Sequence, residues 1–176
     1  MPYFAIQIRS QAEARYITLA RRRSENIGAN LFFLRRSLRV KKGGTWREQT
    51  APIFSGYVFL QADELDAETN RILRTMAGFI RFLPANDRAQ PLDSRDEAML
   101  RHFLSFGEVV HKSIVEFDEN RRIRVISGPL KGLDGQIVKV DRRKQRARVR
   151  LALYQEAFEI DFGFQALEPA ATGTEP

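Results

Sequence analysis

The chain has 176 residues, 43% of them hydrophobic and 29% charged, which suits one ordinary folded domain or two small ones and argues against disorder as the default. Twenty-nine Lys and Arg against 22 Asp and Glu leave a formal charge of +7, a surplus that favours contact with phosphate backbones or acidic surfaces but is equally compatible with a well-solvated basic protein. The absence of cysteine excludes disulfides, thiol nucleophiles and Cys-type zinc sites, and two isolated histidines, His102 and His111, leave little from which to build a metal site.

In chain order, Tyr3 to Arg9 alternates large apolar with polar residues, the period of a first strand. Ser10-Gln-Ala-Glu13 then reads as a capping box opening a helix in which Tyr16, Leu19 and Ala20 recur at helical spacing. Arg21, Arg22 and Arg23 crowd its last turn, where positive charge complements the macrodipole, and Asn26 and Gly28 are the expected stop. Leu31 to Val40 resumes strand character, and KKGGTW at 41–46 is a turn signal leading into a returning arm that ends near Pro52, together a basic hairpin.

PIFSGYVF at 52–59 places proline, glycine and three aromatics just before a strand over Gly56 to Ala62. Its composition fits a turn into a buried strand and fits a docking surface equally well. Asp66 to Met76 reads as a short helix, Gly78 to Leu83 as a strand, and Ser94-Arg-Asp-Glu97 as a second capping box ahead of Leu100, Phe103 and Leu104, with Gly107 as the stop. This order implies an α+β domain over 1–107 with a mostly antiparallel sheet and flanking helices. Residues 108–120 are expected to be a linker. Short alternating strands then follow, RIRVIS at 122–127, GQIVKV at 135–140, RARVRLAL at 146–153 and AFEIDF at 157–162, which predicts a small five-stranded β-barrel over 121–168 and a disordered tail at 169–176.

Catalytic patterns are missing. GPLKGLDG at 128–135 is glycine-rich but lacks the Gly-Lys-Ser/Thr ending of a phosphate-binding loop, and strands rather than a helix should follow it. The pairs Asp93/Asp96 and Asp63/Glu64 fall on caps and loops. The chain therefore reads as a protein without enzymatic activity and without a cofactor. No apolar run approaches the roughly 20 residues that cross a bilayer, and MPYFAIQIRS is not patterned as a signal peptide, so a cytoplasmic, membrane-free protein is expected.

PIFSGYVF followed by AGFIRFLP resembles the amino-terminal domain of the NusG family, with its Pro-x-Phe-x-Gly-Tyr-Val element and later Gly-Phe-Ile/Val. RIRVISGPLKGLDGQIVKVDRRKQRARVRL resembles the KOW motif of the same family, and the two together span nearly the whole chain in the family's order. The resemblance implies a monomeric transcription elongation factor whose first domain binds the clamp helices of the largest RNA polymerase subunit. The matching positions are Tyr3, Phe4, Phe54 and Tyr57, with Phe54 expected to be held outward by the Ser55-Gly56 turn and Phe59 expected in the core. Glu68, Thr69 and Asn70 occupy the place of a second polymerase contact, although the same stretch also reads as an ordinary helix start capped by Asp66. Tyr154 falls at the family's aromatic that meets ribosomal protein S10 or the termination factor Rho. Refolding of the second domain into helices is not expected, because Val125, Ile126, Ile137, Val138, Val140 and Val149 give a β-branched pattern of period two.

The charge surplus is clustered at Arg21 to Arg23, at Arg35, Arg36, Arg39, Lys41 and Lys42 on the hairpin, and at Arg142, Arg143, Lys144, Arg146, Arg148 and Arg150 in the second domain. Arg146, Arg148 and Arg150 alternate along one strand and so share a face. These clusters read as solvated faces or as a surface for nascent RNA or exposed DNA, with Trp46 either stacking on a base or covering the hairpin tip. The combination resembles a specialised paralog of the LoaP type that promotes processive transcription of selected operons. A housekeeping member coupling polymerase to Rho or S10, and a stand-alone RNA-binding or ribosome-associated KOW protein, are the alternatives.

Overall fold

The computed structural model describes residues 1–168, so the tail expected at 169–176 lies outside the described residues. The first strand β1 (Tyr3–Ile8) runs antiparallel between β5 (Tyr57–Gln61) and β6 (Phe79–Phe82), and β2 (Leu31–Phe32) extends the sheet beyond β5 in the order β2-β5-β1-β6. Register places Tyr3, Ala5, Phe59 and Tyr57 on one face, and Phe4, Ile6, Val58 and Leu60 on the other. The second face is closed by α1 (Glu13–Arg23), α2 (Glu25–Ala29) and α3 (Ala67–Thr75), through Tyr16, Ile17, Ala20, Ile27 and Leu73.

The local signals behave as capping chemistry dictates, with one exception. Asp66 accepts from the Thr69 amide at 2.8 Å and Asp93 from the Asp96 amide at 2.8 Å, capping α3 and α4 (Ser94–Leu104), so the fourth helix starts one residue earlier than a Ser94 cap would give. The capping box at Ser10 does not form. The helix starts at Glu13 with Ala12 at the N-cap position, and the buried Glu13 carboxylate accepts instead from the Gly56 amide at 2.7 Å. Gly28 does not end the first helical run, because Ser24 breaks it and caps α2. A Cβ at Gly28 would fall 2.5 Å from the Arg21 Cα, so the two short helices pack backbone to backbone there.

The hairpin forms as the glycines require. β3 (Arg35–Lys42) and β4 (Thr45–Pro52) pair in full register through a turn with Gly43 and Gly44 both at positive φ. Residues 108–120, expected as a linker, carry two strands. β7 (Val109–Val110) pairs in parallel with the start of β3, and β8 (Ser113–Phe117) is an inner strand of the second sheet. That sheet runs β10-β11-β12-β8-β9, from β9 (Ile123–Ser127), β10 (Ile137–Asp141), β11 (Arg146–Leu153) and β12 (Glu156–Ala166), with β8 and β12 parallel. It has five strands, as expected, and curves as a half-barrel.

The inner face of the half-barrel does not close on itself. Val115, Val125, Val149, Leu151, Ile160, Phe162 and Phe164 belong to the same buried cluster as Tyr3, Phe54, Tyr57, Phe59, Leu100 and Phe103 from the first half. Phe103 of α4 stacks on Phe162 of β12, with centroids 5.5 Å apart and planes at 6°.

Gly56 combines two demands. Its φ is 82°, and a Cβ would sit 3.1 Å from the Ile8 carbonyl oxygen. Gly107 has a similar φ of 95° with open space around it. Gly56→Ala is therefore expected to cost about 2–3 kcal/mol and Gly107→Ala about 1 kcal/mol. Equal shifts in urea midpoint for the two variants would contradict the close approach of β1 to the Ser55-Gly56 turn.

Candidate functional site

The aromatic face expected to dock a partner exists, and it is covered. Phe54 is 1% exposed, and its ring lies edge-on to Phe59 at 6.4 Å and to Phe158 of β12 at 5.3 Å. Tyr57 meets the same Phe158 at 6.1 Å. Tyr3 lies on this face with its ring against Phe32 at 6.0 Å and beneath the Arg101 guanidinium at 5.0 Å. Phe54 is thus held outward from the helix-covered core, as the turn suggests, but toward the half-barrel rather than toward solvent. Phe59 is 1% exposed, in the core as expected, and lies on this same face. Phe4 does not: strand alternation turns it among Ile6, Ile27 and Leu60, so it cannot join a surface with Tyr3.

Polar contacts fasten the same seam. Tyr154 occupies the two-residue turn between β11 and β12, where it and Gln155 have φ of 50° and 63°. Its amide donates to the Asp96 carboxylate at 2.9 Å and its hydroxyl to the Gln90 carbonyl at 3.2 Å. Burial, then the nearby Asp96 and Asp93 charges, push the Tyr154 phenol up to about 12. Burial also raises the Asp96 carboxyl, an effect opposed by the bond from the Tyr154 amide. His102 Nε2–H donates to the Pro129 carbonyl at 2.6 Å, beside the buried Leu130. The aromatic face and Tyr154, on opposite sides of one seam, are therefore both closed within one chain.

Glu68, Thr69 and Asn70 remain outside this seam at the start of α3, with Glu68 exposed and the other two half-buried. The Thr69 hydroxyl donates to the Asp66 carboxylate at 2.8 Å, which accounts for Thr69 as part of the cap.

The basic residues separate into two kinds. Arg36 is withdrawn from solvent: its guanidinium donates to the carbonyls of Asp161 and Pro52, tying the hairpin base to β12. Arg148 and Arg150 lie directly across from Asp161 and Glu159 and pair with them at 2.8 Å each, and Arg146 stands 4.0 Å from Asp161. The expected phosphate-binding stripe on β11 is thus matched by acids on β12. Arg35 faces Glu108 at 4.0 Å, and Arg142 lies over the Phe117 ring at 4.1 Å. Lys41, Lys42, Arg143 and Lys144 are exposed without an acidic partner within 4.0 Å among the described residues, and Trp46 at the hairpin end lies under the Arg39 guanidinium at 4.8 Å. Sequence reasoning missed Phe158, Asp96 and Asp161. For Asp161 the signal was available, since the two-residue turn at Tyr154 and Gln155 fixes Arg148 opposite Asp161.

The profile described as "Transcription termination factor nusG" matches residues 1–101, and that of the KOW motif matches residues 119–150. The chain is 28% identical over 134 residues to the transcription termination/antitermination protein NusG of Thermus thermophilus, covering 70% of this chain and 71% of the relative. It is 24% identical over 134 residues to the protein of that name from Borreliella burgdorferi, covering 72% and 73%. A solved structure described as "Domain interaction in Thermotoga maritima NusG" superposes with a TM-score of 0.55 at 18% identity, covering 92% of this chain and 93% of that one.

The hydrogen bonds from Arg148, more than the charges around it, hold the Asp161 carboxyl below its ordinary value, and burial only partly offsets them. A depressed carboxylate stabilises the fold fully above the ordinary carboxylate range and loses that contribution as pH falls through the lowered folded value. Asp161→Asn is accordingly expected to flatten the acid limb of the stability-against-pH curve. An acid limb in the variant as steep as in the parent would rule out this pairing as its source.

Proposed function

This chain belongs to the NusG family of transcription termination/antitermination factors, and we propose that it is an elongation factor that docks RNA polymerase through the aromatic face of β1 and β5. The clamp helices of the largest polymerase subunit are the partner, and Tyr3, Phe54, Tyr57 and Phe59 are the side chains that meet them. The observation that carries this reading is Phe158 seated on Phe54 and Tyr57. A chain that presents several aromatics to a partner of its own has a surface able to bind aromatic and aliphatic anchors, and such rings dominate interface energies. In this reading docking requires the half-barrel to leave, so the resting chain is shut and polymerase binds the open form.

The same opening frees Tyr154 for ribosomal protein S10 or Rho, so a KOW partner and polymerase would favour one another through a shared open state. Nucleic acid, nascent RNA or exposed DNA, is met by the hairpin end and the turn between β10 and β11, where Lys41, Lys42, Arg143 and Lys144 keep unmatched charge. Arg36 and the Arg146, Arg148 and Arg150 row, already engaged by carbonyl or carboxylate partners, are not assigned that role. Unmatched charge at this site, on a chain of formal charge +7, favours a specialised antitermination paralog of the LoaP type, acting on selected operons. Glu68, Thr69 and Asn70 stay accessible in the closed form as a second polymerase contact.

Loss of the two edge-on ring pairs in Phe158→Ala should weaken closure by about 1–3 kcal/mol, which makes the open form about 5- to 150-fold commoner. Affinity for elongation complexes should rise by about that factor, while Tyr57→Ala lowers it in the same assay. A folded Phe158→Ala protein that binds polymerase no better than the parent would sink the proposal. RNA binding without any polymerase binding would point instead to a stand-alone RNA-binding protein.

A further inference from the structure

The hairpin does more than project from the fold: its inner side crosses the half-barrel. Gly163 of β12 marks the crossing, since a Cβ there would stand 3.3 Å from the Ser37 carbonyl oxygen and 3.6 Å from the Lys112 side chain. The Arg146 guanidinium donates to the Arg39 carbonyl at 2.9 Å, and Arg39 donates to the Gln145 side chain at 3.3 Å. A pocket of about 200 Å³ opens along this crossing, lined by Arg39, Trp46 and Arg47 from the hairpin and by Lys112, Gln145 and Phe164 from the half-barrel side.

Three cations line the pocket against one carboxylate, Glu48. Arg39 is held between the Trp46 ring and Gln145, so its charge is fixed in place, whereas Arg47 and Lys112 are exposed and have no acidic partner within 4.0 Å among the described residues. A flat aromatic ring beside fixed and mobile cations is the combination that holds a base by stacking and its phosphates by charge. The pocket is too small for a duplex.

We propose that this seam is a binding site for a short single-stranded nucleic-acid segment, completed only when hairpin and half-barrel are together. Base stacking falls to Trp46 and phosphate contact to Arg47 and Lys112, with Arg39 and Gln145 positioning the ring. Because Lys112 lies on the half-barrel side, opening the chain takes the site apart. Nucleic acid in the seam therefore stabilises the closed form and opposes polymerase, a ligand of the open form. That last consequence rests on the docking reading above; the seam site itself does not.

Trp46 is the chain's one tryptophan, so its emission reports this site directly. The full-length protein is titrated at low salt with hexamers of deoxythymidine and, separately, of uridine. Quenching by either supports the site, and the stronger hexamer identifies DNA or RNA as the source of the strand. With about two phosphates neutralised, the log–log salt slope should be roughly −1.4. Followed by anisotropy of a labelled hexamer, Trp46→Ala should lose about five- to a hundredfold in affinity and Trp46→Phe should retain most of it. The decisive variant is Lys112→Glu, exposed and outside the hairpin, which should weaken binding at least tenfold. No quenching by either hexamer, or full-strength binding to Lys112→Glu, overturns the seam site whatever polymerase does. Normal hexamer binding that leaves polymerase affinity unchanged would overturn the opposition alone and, with it, the docking reading on which it rests.

Discussion

The structure depends on one apolar layer shared between its two halves. The β1 and β5 face is covered only in part by its own half, through Leu100 and Phe103 of α4, because α1, α2 and α3 all lie on the opposite side of the sheet. The half-barrel has the complementary deficiency, since its concave side is filled by side chains from the other half. Two sheets that each leave a face partly uncovered satisfy one another, and the stacked pair Phe103 and Phe162 sits between them. Burial of this size is driven by removing apolar surface from water, which makes closure the resting condition of an isolated chain.

The polar contacts around that layer set its register. Asp96 and Gln90 fix Tyr154, His102 reaches the Pro129 carbonyl, and Arg36 spans from the Pro52 carbonyl to that of Asp161. Each satisfies a donor or acceptor that burial would otherwise leave bare. These are directional contacts at the rim of a non-directional apolar patch, an arrangement that holds the two halves in one pose. The acids of β12 serve a second end: by matching the β11 arginines they lower the unmatched positive charge along that strand.

Much of this was legible in the sequence. Period-two alternation places β1, β5 and β11, the Gly-Gly turn places the hairpin, and the Asp66 signal marks its helix. Phe4 was misassigned although the evidence lay in the same alternation: if Tyr3 faces one way, its neighbour faces the other. The strand Ser113–Phe117 was hidden because its edges are set by a parallel pairing with residues 164–166, which no local pattern reports. Arg36 could not be read as structural, since its partner at Asp161 is 125 positions away. The cover on Phe54 and Tyr57 was likewise invisible. Composition shows that rings cluster, but whether they meet a partner or the chain's own second half is decided by tertiary packing.

The central claim is that the aromatic face is covered at rest and uncovered for docking. Because the chain has no cysteine, two spin labels can be introduced at single sites, Arg22→Cys on the exposed side of α1 and Glu119→Cys between β8 and β9. Electron–electron resonance on the free protein should give one narrow distance. Saturation with polymerase elongation complexes should replace it with a longer or broader distribution. Polymerase-bound protein that keeps the narrow distance of the free chain would contradict the account.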